Sequence, residues 1–117
     1  MAMRESDYPG GVPVDGYGPG FFRVEGQVHR GALIVTADGA RTWSGLDDAA
    51  PLVALGGRID VLFLGMGADI AHPPAALVAL LENAGLMVEP MSTPSAARSY
   101  NITLSEGRRV ACALLPV

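Results

Sequence analysis

The segment Asp60-Val61-Leu62-Phe63-Leu64-Gly65-Met66-Gly67 is the most informative stretch of this sequence. Residues 61–64 are wholly apolar, which is typical of a strand that is covered on both faces of a parallel sheet. The glycines end the strand in a turn. Because ligands usually bind at the carboxyl ends of parallel strands, the segment predicts both the central strand of a sheet and a candidate site beside it.

The sequence after this segment alternates between predicted helices and strands. A helix over residues 73–83 begins with two prolines, and Gly85 follows its end, in keeping with the usual chemistry of helix termini. A strand is predicted over 86–89, a second helix from Thr93 as N-cap to Glu106, and a last strand over 110–115. This alternation indicates a mostly parallel sheet with helices on both faces.

The sequence before the segment is rich in aromatic and β-branched residues. It predicts a hairpin of strands over 21–25 and 28–35, a short strand over 41–43 and a short helix over 48–55. The complete prediction is a three-layer α/β fold. Its central sheet is mixed but mostly parallel and is flanked by helices, and an N-terminal β-hairpin forms an additional layer.

Length and composition indicate one compact domain. Residues 1–13 mix glycine, proline and charge without periodicity, which predicts a flexible arm before a single domain over 14–117. The sequence contains neither an apolar run of membrane-spanning length nor a recognisable secretory signal, so we expect no membrane segment and a cytoplasmic location. A net charge of −4, with Arg108-Arg109 as the only basic doublet, argues against nucleic-acid binding.

Residues that would bind a metal or attack a substrate are few. His29 and His72 have no partner at a recognised ligand spacing, so no metal site is predicted. Cys112 lies in an apolar run and is expected to be a buried structural thiol. A dinucleotide motif would need a third glycine where Ile70 stands. The sequence therefore predicts no cofactor and no catalytic residues.

The candidate binding residues surround the turn after residues 61–64. The turn and the start of the helix at Thr93 would form one crevice, in which unpaired backbone N–H groups and the helix dipole would hold an anion. The predicted ligand-binding set is Gly65, Gly67, Asp69, Thr93, Arg98 and Asn101. In the alternative, structural interpretation, the glycines supply positive φ angles and Thr93 only caps the helix.

Structural roles are predicted for Tyr100, Glu106 and Arg108 in the last helix region. Tyr100 and Asn101 lie on the apolar stripe that faces the sheet. We expect Asn101 to be largely buried, with its amide bonded to backbone and tying the helix to the loop after residues 61–64. Glu106 is unfavourable at a helix C-terminus, which predicts a salt bridge with Arg98, Arg108 or Arg109.

Four short motifs carry a resemblance to a known family. They are Gly16-Tyr17-Gly18, Gly65-x-Gly67, Thr93-x-x-Ala96-Ala97-Arg98-Ser99-Tyr100-Asn101, and Glu106-Gly107-Arg108-Arg109-Val110. Together they resemble the family of small α/β domains that includes the mitochondrial respiratory complex I assembly factor three. The likeness extends over nearly all of residues 14–117. It implies a three-layer fold and, for the best-described member, a scaffold that helps to build a membrane-bound NADH:quinone oxidoreductase.

The sequence leaves two functional hypotheses. The first is a non-catalytic protein-interaction or assembly-factor domain, with a protein as its partner; it follows from the resemblance and from the lack of an acid, base and nucleophile set. The alternative is a small-molecule or anion-binding protein, or an unrecognised enzyme, with its crevice between the Gly65-Gly67 loop and the Thr93 helix start.

Overall fold

The computed structural model describes residues 11–117 of the chain. Within that range the elements follow in the order β1 (Gly16–Gly18), β2 (Phe21–Val24), β3 (Gln27–Arg30), β4 (Leu33–Thr36), β5 (Gly39–Thr42), α1 (Ala50–Val53), β6 (Val61–Gly65), α2 (Ala75–Asn83), β7 (Met87–Met91), α3 (Thr93–Ser105) and β8 (Val110–Leu114). None of these helices is long and apolar enough to cross a membrane. Residues 1–10 of the predicted N-terminal arm lie outside the described range.

The larger sheet has five strands in the order β5-β4-β8-β6-β7. β6 pairs in parallel with both β7 and β8, whereas β4 pairs antiparallel with both β8 and β5. The predicted mixed sheet is therefore confirmed: two of its four strand pairings are parallel, and β4 alone runs opposite to the other four strands. β8, rather than β6, is the middle strand, because a wholly apolar run shows only that a strand is covered on both faces and says nothing of its place in the order.

The smaller sheet is antiparallel and consists of β1, β2 and β3. β2 and β3 form a hairpin around a two-residue turn, Glu25-Gly26, in which both residues have positive φ. The run 28–35, predicted as one strand, is divided at Gly31, whose φ of 84° turns the chain away from the smaller sheet. Its second half becomes β4 of the larger sheet.

The larger sheet separates two apolar clusters, which gives the molecule its three layers. β8 alternates between them, since Val110, Cys112 and Leu114 belong to one cluster and Ala111 and Ala113 to the other. On the first face, α3 and the smaller sheet pack against β4, β6 and β8. On the second face, α1 and α2 provide the cover. The predicted three-layer fold with an additional N-terminal β layer is confirmed.

Candidate functional site

The predicted crevice beside Gly65 is filled. Gly65 ends β6 in a fully buried position, where an added Cβ would lie 2.8 Å from Thr93 Oγ1 and 2.9 Å from both Thr93 Cα and Leu114 Cδ2. Such distances leave no room for even one methyl group. The structure therefore brings Gly65, Gly67 and Thr93 together as predicted, but as a close-packed junction rather than as a cavity for a ligand.

The Thr93 side chain closes this junction. Its hydroxyl donates to the carbonyl oxygen of Leu115 at 2.6 Å and accepts from the backbone N–H of Gly67 at 2.9 Å. The backbone N–H of Thr93 in turn donates to the Gly67 carbonyl at 2.7 Å. Thr93 is completely buried, so both bonds form away from water, where an unpaired polar group is costly. The residue ties α3, the loop after β6 and the end of β8 together.

The N-cap of α3 is Ser92, not Thr93 as predicted. The Ser92 side chain accepts from the backbone N–H of Ser95 at 3.4 Å. Ser92 and Thr93 are consecutive residues before Pro94, and the hydroxyl of either fits the usual cap chemistry. Because the Thr93 hydroxyl is committed to the junction, Ser92 takes the cap. Asp69, the remaining residue of the predicted loop site, is exposed to solvent.

Asn101 forms a two-point hydrogen bond with the backbone of Val14. Its Oδ1 accepts from the Val14 N–H at 2.9 Å, and its Nδ2 donates to the Val14 carbonyl at 2.8 Å. The expected bonding of the amide to backbone is thus confirmed. Two other expectations are wrong, since Asn101 is only partly buried and its partner lies in the segment before β1 rather than in the loop after β6. The link from α3 to the loop after β6 is made by Thr93 instead.

Tyr100 reinforces the attachment of the N-terminal segment. Its ring is fully buried, and its hydroxyl donates to the carbonyl oxygen of Val12 at 2.7 Å. Val12 also packs against the apolar cluster beneath α3. Burial raises the pKa of the Tyr100 phenol, with a smaller contribution from Cys112. Tyr100 is therefore neutral and structural, and it has no access to a substrate.

A cavity lies between β1 and α3, and we call it the β1–α3 groove. It has a volume of about 460 Å³. Arg98 and Asn101, two of the predicted site residues, line it, together with Val14, Tyr17 and Ile102. The predicted set is therefore divided: two members line this groove, and the others lie at the junction or on the exposed loop.

Two apolar side chains stand out in this groove. Tyr17 is 45% exposed and Ile102 is 51% exposed, so each leaves much of its surface in contact with water. Sequence reasoning did not single out either side chain as a binding residue. A signal existed for Ile102, which does not belong to the apolar stripe of α3 and is therefore an apolar side chain on the solvent face.

The amino ends of β6 and β8 carry a different polar arrangement. Arg109 Nη2 lies 2.7 Å from Asp60 Oδ1, and Arg109 Nε donates to Asp60 Oδ2 at 3.4 Å. The hydrogen bond from Arg109 lowers the pKa of the exposed Asp60 carboxyl. The prediction of a salt bridge for Glu106 is wrong, since no such pair forms within residues 11–117. Arg109 pairs with Asp60 instead, and neither Arg98 nor Arg108 pairs with Glu106.

The thiol of Cys112 is inaccessible to solvent. Cys112 is fully buried in β8, and burial raises the pKa of its thiol, which stays protonated and unreactive. Within residues 11–117, no group of three His, Cys, Asp or Glu side chains could hold a metal ion. The described surface does contain grooves, of which the β1–α3 groove is one.

These features define a class of small three-layer α/β domain with surface grooves and a buried thiol. The chain belongs to the family described as Protein of unknown function (DUF498/DUF598), whose family model matches residues 14–115. The family resemblance predicted from the short motifs is thereby confirmed. A crystal structure of an outer membrane protein from Bartonella henselae shares the fold with a TM-score of 0.83 and 33% identity, covering 93% of this chain and 98% of that one.

Two relatives extend this comparison. An uncharacterized protein of Rhodobacter capsulatus is 60% identical over 117 residues, which cover 100% of this chain and 94% of that protein. NADH dehydrogenase (ubiquinone) 1 alpha subcomplex assembly factor 3 of Danio rerio is 26% identical over 123 aligned residues, which cover 99% of this chain and 71% of that protein. The chain is thus similar over almost its whole length to a named assembly factor.

Proposed function

We propose that this protein is a non-catalytic interaction protein that assists the assembly of a respiratory NADH:quinone oxidoreductase. The observation that carries the proposal is the β1–α3 groove, which presents the exposed apolar side chains of Tyr17 and Ile102. The name of the Danio rerio relative supports the choice of partner. The cytoplasmic location expected from the sequence remains part of this proposal.

The groove has the composition of a protein-docking surface. Tyr17 and Ile102 supply the apolar contact area, and aromatic side chains are enriched where proteins bind one another. Arg98 provides an exposed charge at the same groove. Asn101 and Tyr100 hold the segment that leads into β1 against α3 by hydrogen bonds to Val14 and Val12, so the groove is formed before a partner arrives. A preformed surface loses less conformational entropy on binding.

The alternative, an anion or small-molecule site between the Gly65-Gly67 loop and the start of α3, receives no support from the geometry. Thr93 and Leu114 occupy the space that a ligand would need. The Thr93 hydroxyl, which would have faced the ligand, is already bonded to Gly67 and Leu115. The interaction hypothesis is therefore the one that we retain.

The test is affinity capture from native extract with the full chain and two matched variants. Ile102→Glu places a charge in the groove and is expected to abolish capture of the partner. Leu80→Glu is the control, since Leu80 is 46% exposed on α2 at the other face of the larger sheet. Both sites are solvent-exposed helix positions, so each variant is expected to remain folded.

Quantitative mass spectrometry of the captured proteins decides the outcome. We expect subunits or assembly proteins of the NADH:quinone oxidoreductase with the unmodified chain and with Leu80→Glu, and their loss with Ile102→Glu. Capture that contains no such protein would contradict the proposed role. Equal capture by both variants would show that the β1–α3 groove is not the docking surface.

A further inference from the structure

Half of the basic side chains of this acidic protein gather at one place. The chain has eight basic residues, all of them arginine, and a net charge of −4. Arg41 of β5, Arg58 of the loop before β6, and Arg108 and Arg109 before β8 line a single cavity of about 330 Å³. We call this cavity the arginine groove. It lies at the amino ends of β6 and β8 and shares no lining residue with the β1–α3 groove.

Two aspartates pair with arginines of the groove but do not cancel its positive charge. Asp60 binds Arg109 through two hydrogen bonds, and Asp38 lies 3.6 Å from Arg58. Arg41 and Arg108 also line the groove, and they form no ion pair within residues 11–117. Four arginines against two aspartates leave the groove with an excess of two positive charges.

The bottom of the groove is apolar. Leu55 is half-buried, Ile59 is 8% exposed and Val110 is 2% exposed, and all three line the cavity. The groove therefore has a hydrophobic base and a cationic rim. No aromatic side chain is among its lining residues, so it lacks the stacking surface that single-stranded nucleic acids use.

We propose that the arginine groove docks a carboxylate-rich, extended segment of a protein partner. The inference rests on the proposed function, because it assigns a second contact surface to an interaction protein. Guanidinium groups bind carboxylates with a matching fork geometry. Aliphatic side chains interspersed among the carboxylates cover Leu55 and Ile59, and charge complementarity fixes the register of the segment.

The exposure of the arginines favours a chain over a single small anion. The side chains of Arg58 and Arg109 are 68% and 60% exposed, and exposed ion pairs contribute little individually. One anion that meets one or two such groups is held weakly. A segment with several carboxylates along its length meets several arginines at once, so that small contributions add up.

The experiment is an NMR titration of the full, ¹⁵N-labelled chain with a capped peptide of about eight residues in which glutamate and leucine alternate. The matched control peptide has glutamine in place of glutamate. We expect the acidic peptide to shift the backbone amides of Asp38, Arg41 and residues 107–110, with binding weakened at high salt. The glutamine peptide is expected to leave these amides unchanged.

Single substitutions test whether the arginines of the groove bind the peptide. Arg41→Gln and Arg108→Gln are each expected to weaken peptide binding by about two- to five-fold, the effect of losing one exposed ion pair. These two were chosen because no ion pair within residues 11–117 is lost with them. Arg23→Gln is the control, since Arg23 is exposed on β2 and does not line the groove.

Three outcomes would overturn the inference. One is an equal response to the two peptides, and another is equal binding by the Arg23 and Arg108 variants. The third is inorganic phosphate that shifts the same amides as strongly as the peptide at equal concentration, which would indicate a small-anion site. Ile102→Glu is expected to leave peptide binding unchanged. A failure of this inference is therefore separate from a failure of the proposed function, which the capture experiment measures.

Discussion

The two ends of the parallel strands β6 and β8 differ, since one end is filled by side chains and the other borders a cavity. At the carboxyl ends, where open parallel sheets usually bind ligands, Thr93 and Leu114 fill the space beside Gly65. At the amino ends, a cavity of about 330 Å³ is lined by four arginines. The usual location of a ligand site in a parallel sheet is thus closed, and the opposite end is open and charged.

The cause of this reversal lies in the path of the last residues. After β8, the backbone N–H of Leu115 donates to the Gly65 carbonyl, and the Leu115 carbonyl accepts from Thr93. Farther on, the carbonyl of Val117 accepts from the N–H of Gly20. The C-terminal segment therefore continues across the end of β6 and covers it. In a doubly wound sheet, by contrast, a crevice opens where the strand order reverses.

The largest expected effect is that of Gly65→Ala at the closed end. The added Cβ would lie within 3 Å of the backbone of Thr93 as well as of two side-chain atoms. Overpacking of this kind typically costs 1–3 kcal/mol, so we expect a loss of about 3 kcal/mol in the free energy of unfolding, measured with urea. Gly16→Ala is the control, because nothing lies within 4 Å of its added Cβ. If both variants unfold at the same urea concentration, the junction is not close-packed.

A smaller loss is expected for Thr93→Val, which keeps the shape of the side chain but removes its hydroxyl. The N–H of Gly67 then loses its acceptor and the carbonyl of Leu115 loses a donor. An unpaired buried group costs about 1–3 kcal/mol, and we expect about 2 kcal/mol in the free energy of unfolding. Thr42→Val, at an exposed position of β5, should change it by less than about 0.5 kcal/mol. Equal stability of the two variants would contradict the structural role of Thr93.

The sequence predicted most of the elements because they have a local signal, but it did not predict β1 as a strand. The apolar runs of β6 and β8 and the proline and glycine at the ends of α2 and α3 are properties of consecutive residues. The order of strands is different. The place of β8 between β4 and β6 depends on pairings across the whole chain, such as Val35 with Cys112 and Phe63 with Cys112. No local pattern contains that information.

The candidate sites were harder to predict for the same reason. The doublet Arg108-Arg109 was visible in the sequence, but Arg41 and Arg58 join it only through the fold. Thr93 was recognised as a helix-start residue, yet its partners Gly67 and Leu115 are 26 and 22 residues away in the chain. Asn101 was correctly expected to bond to backbone, but its partner Val14 is 87 residues away. The kind of contact that each side chain makes was predictable from its residue type, but the residue that it contacts was not.

The smallest expected effect concerns Asp60 at the open end. The hydrogen bond from Arg109 lowers the pKa of this carboxyl below its ordinary value of 3.8, so its ionised form is favoured in the folded chain. A carboxyl whose pKa is lowered by folding adds stability above its unfolded pKa, and this contribution disappears as the pH falls through the folded pKa. The free energy of unfolding should therefore be slightly lower for Asp60→Asn than for the unmodified chain at pH 7, with the difference vanishing as the pH falls through the folded pKa of Asp60. Urea unfolding of both proteins across this range provides the measurement, with Asp69→Asn in an exposed loop as the control. A difference that persists unchanged at acid pH would show that the substitution acts through something other than the charge of Asp60.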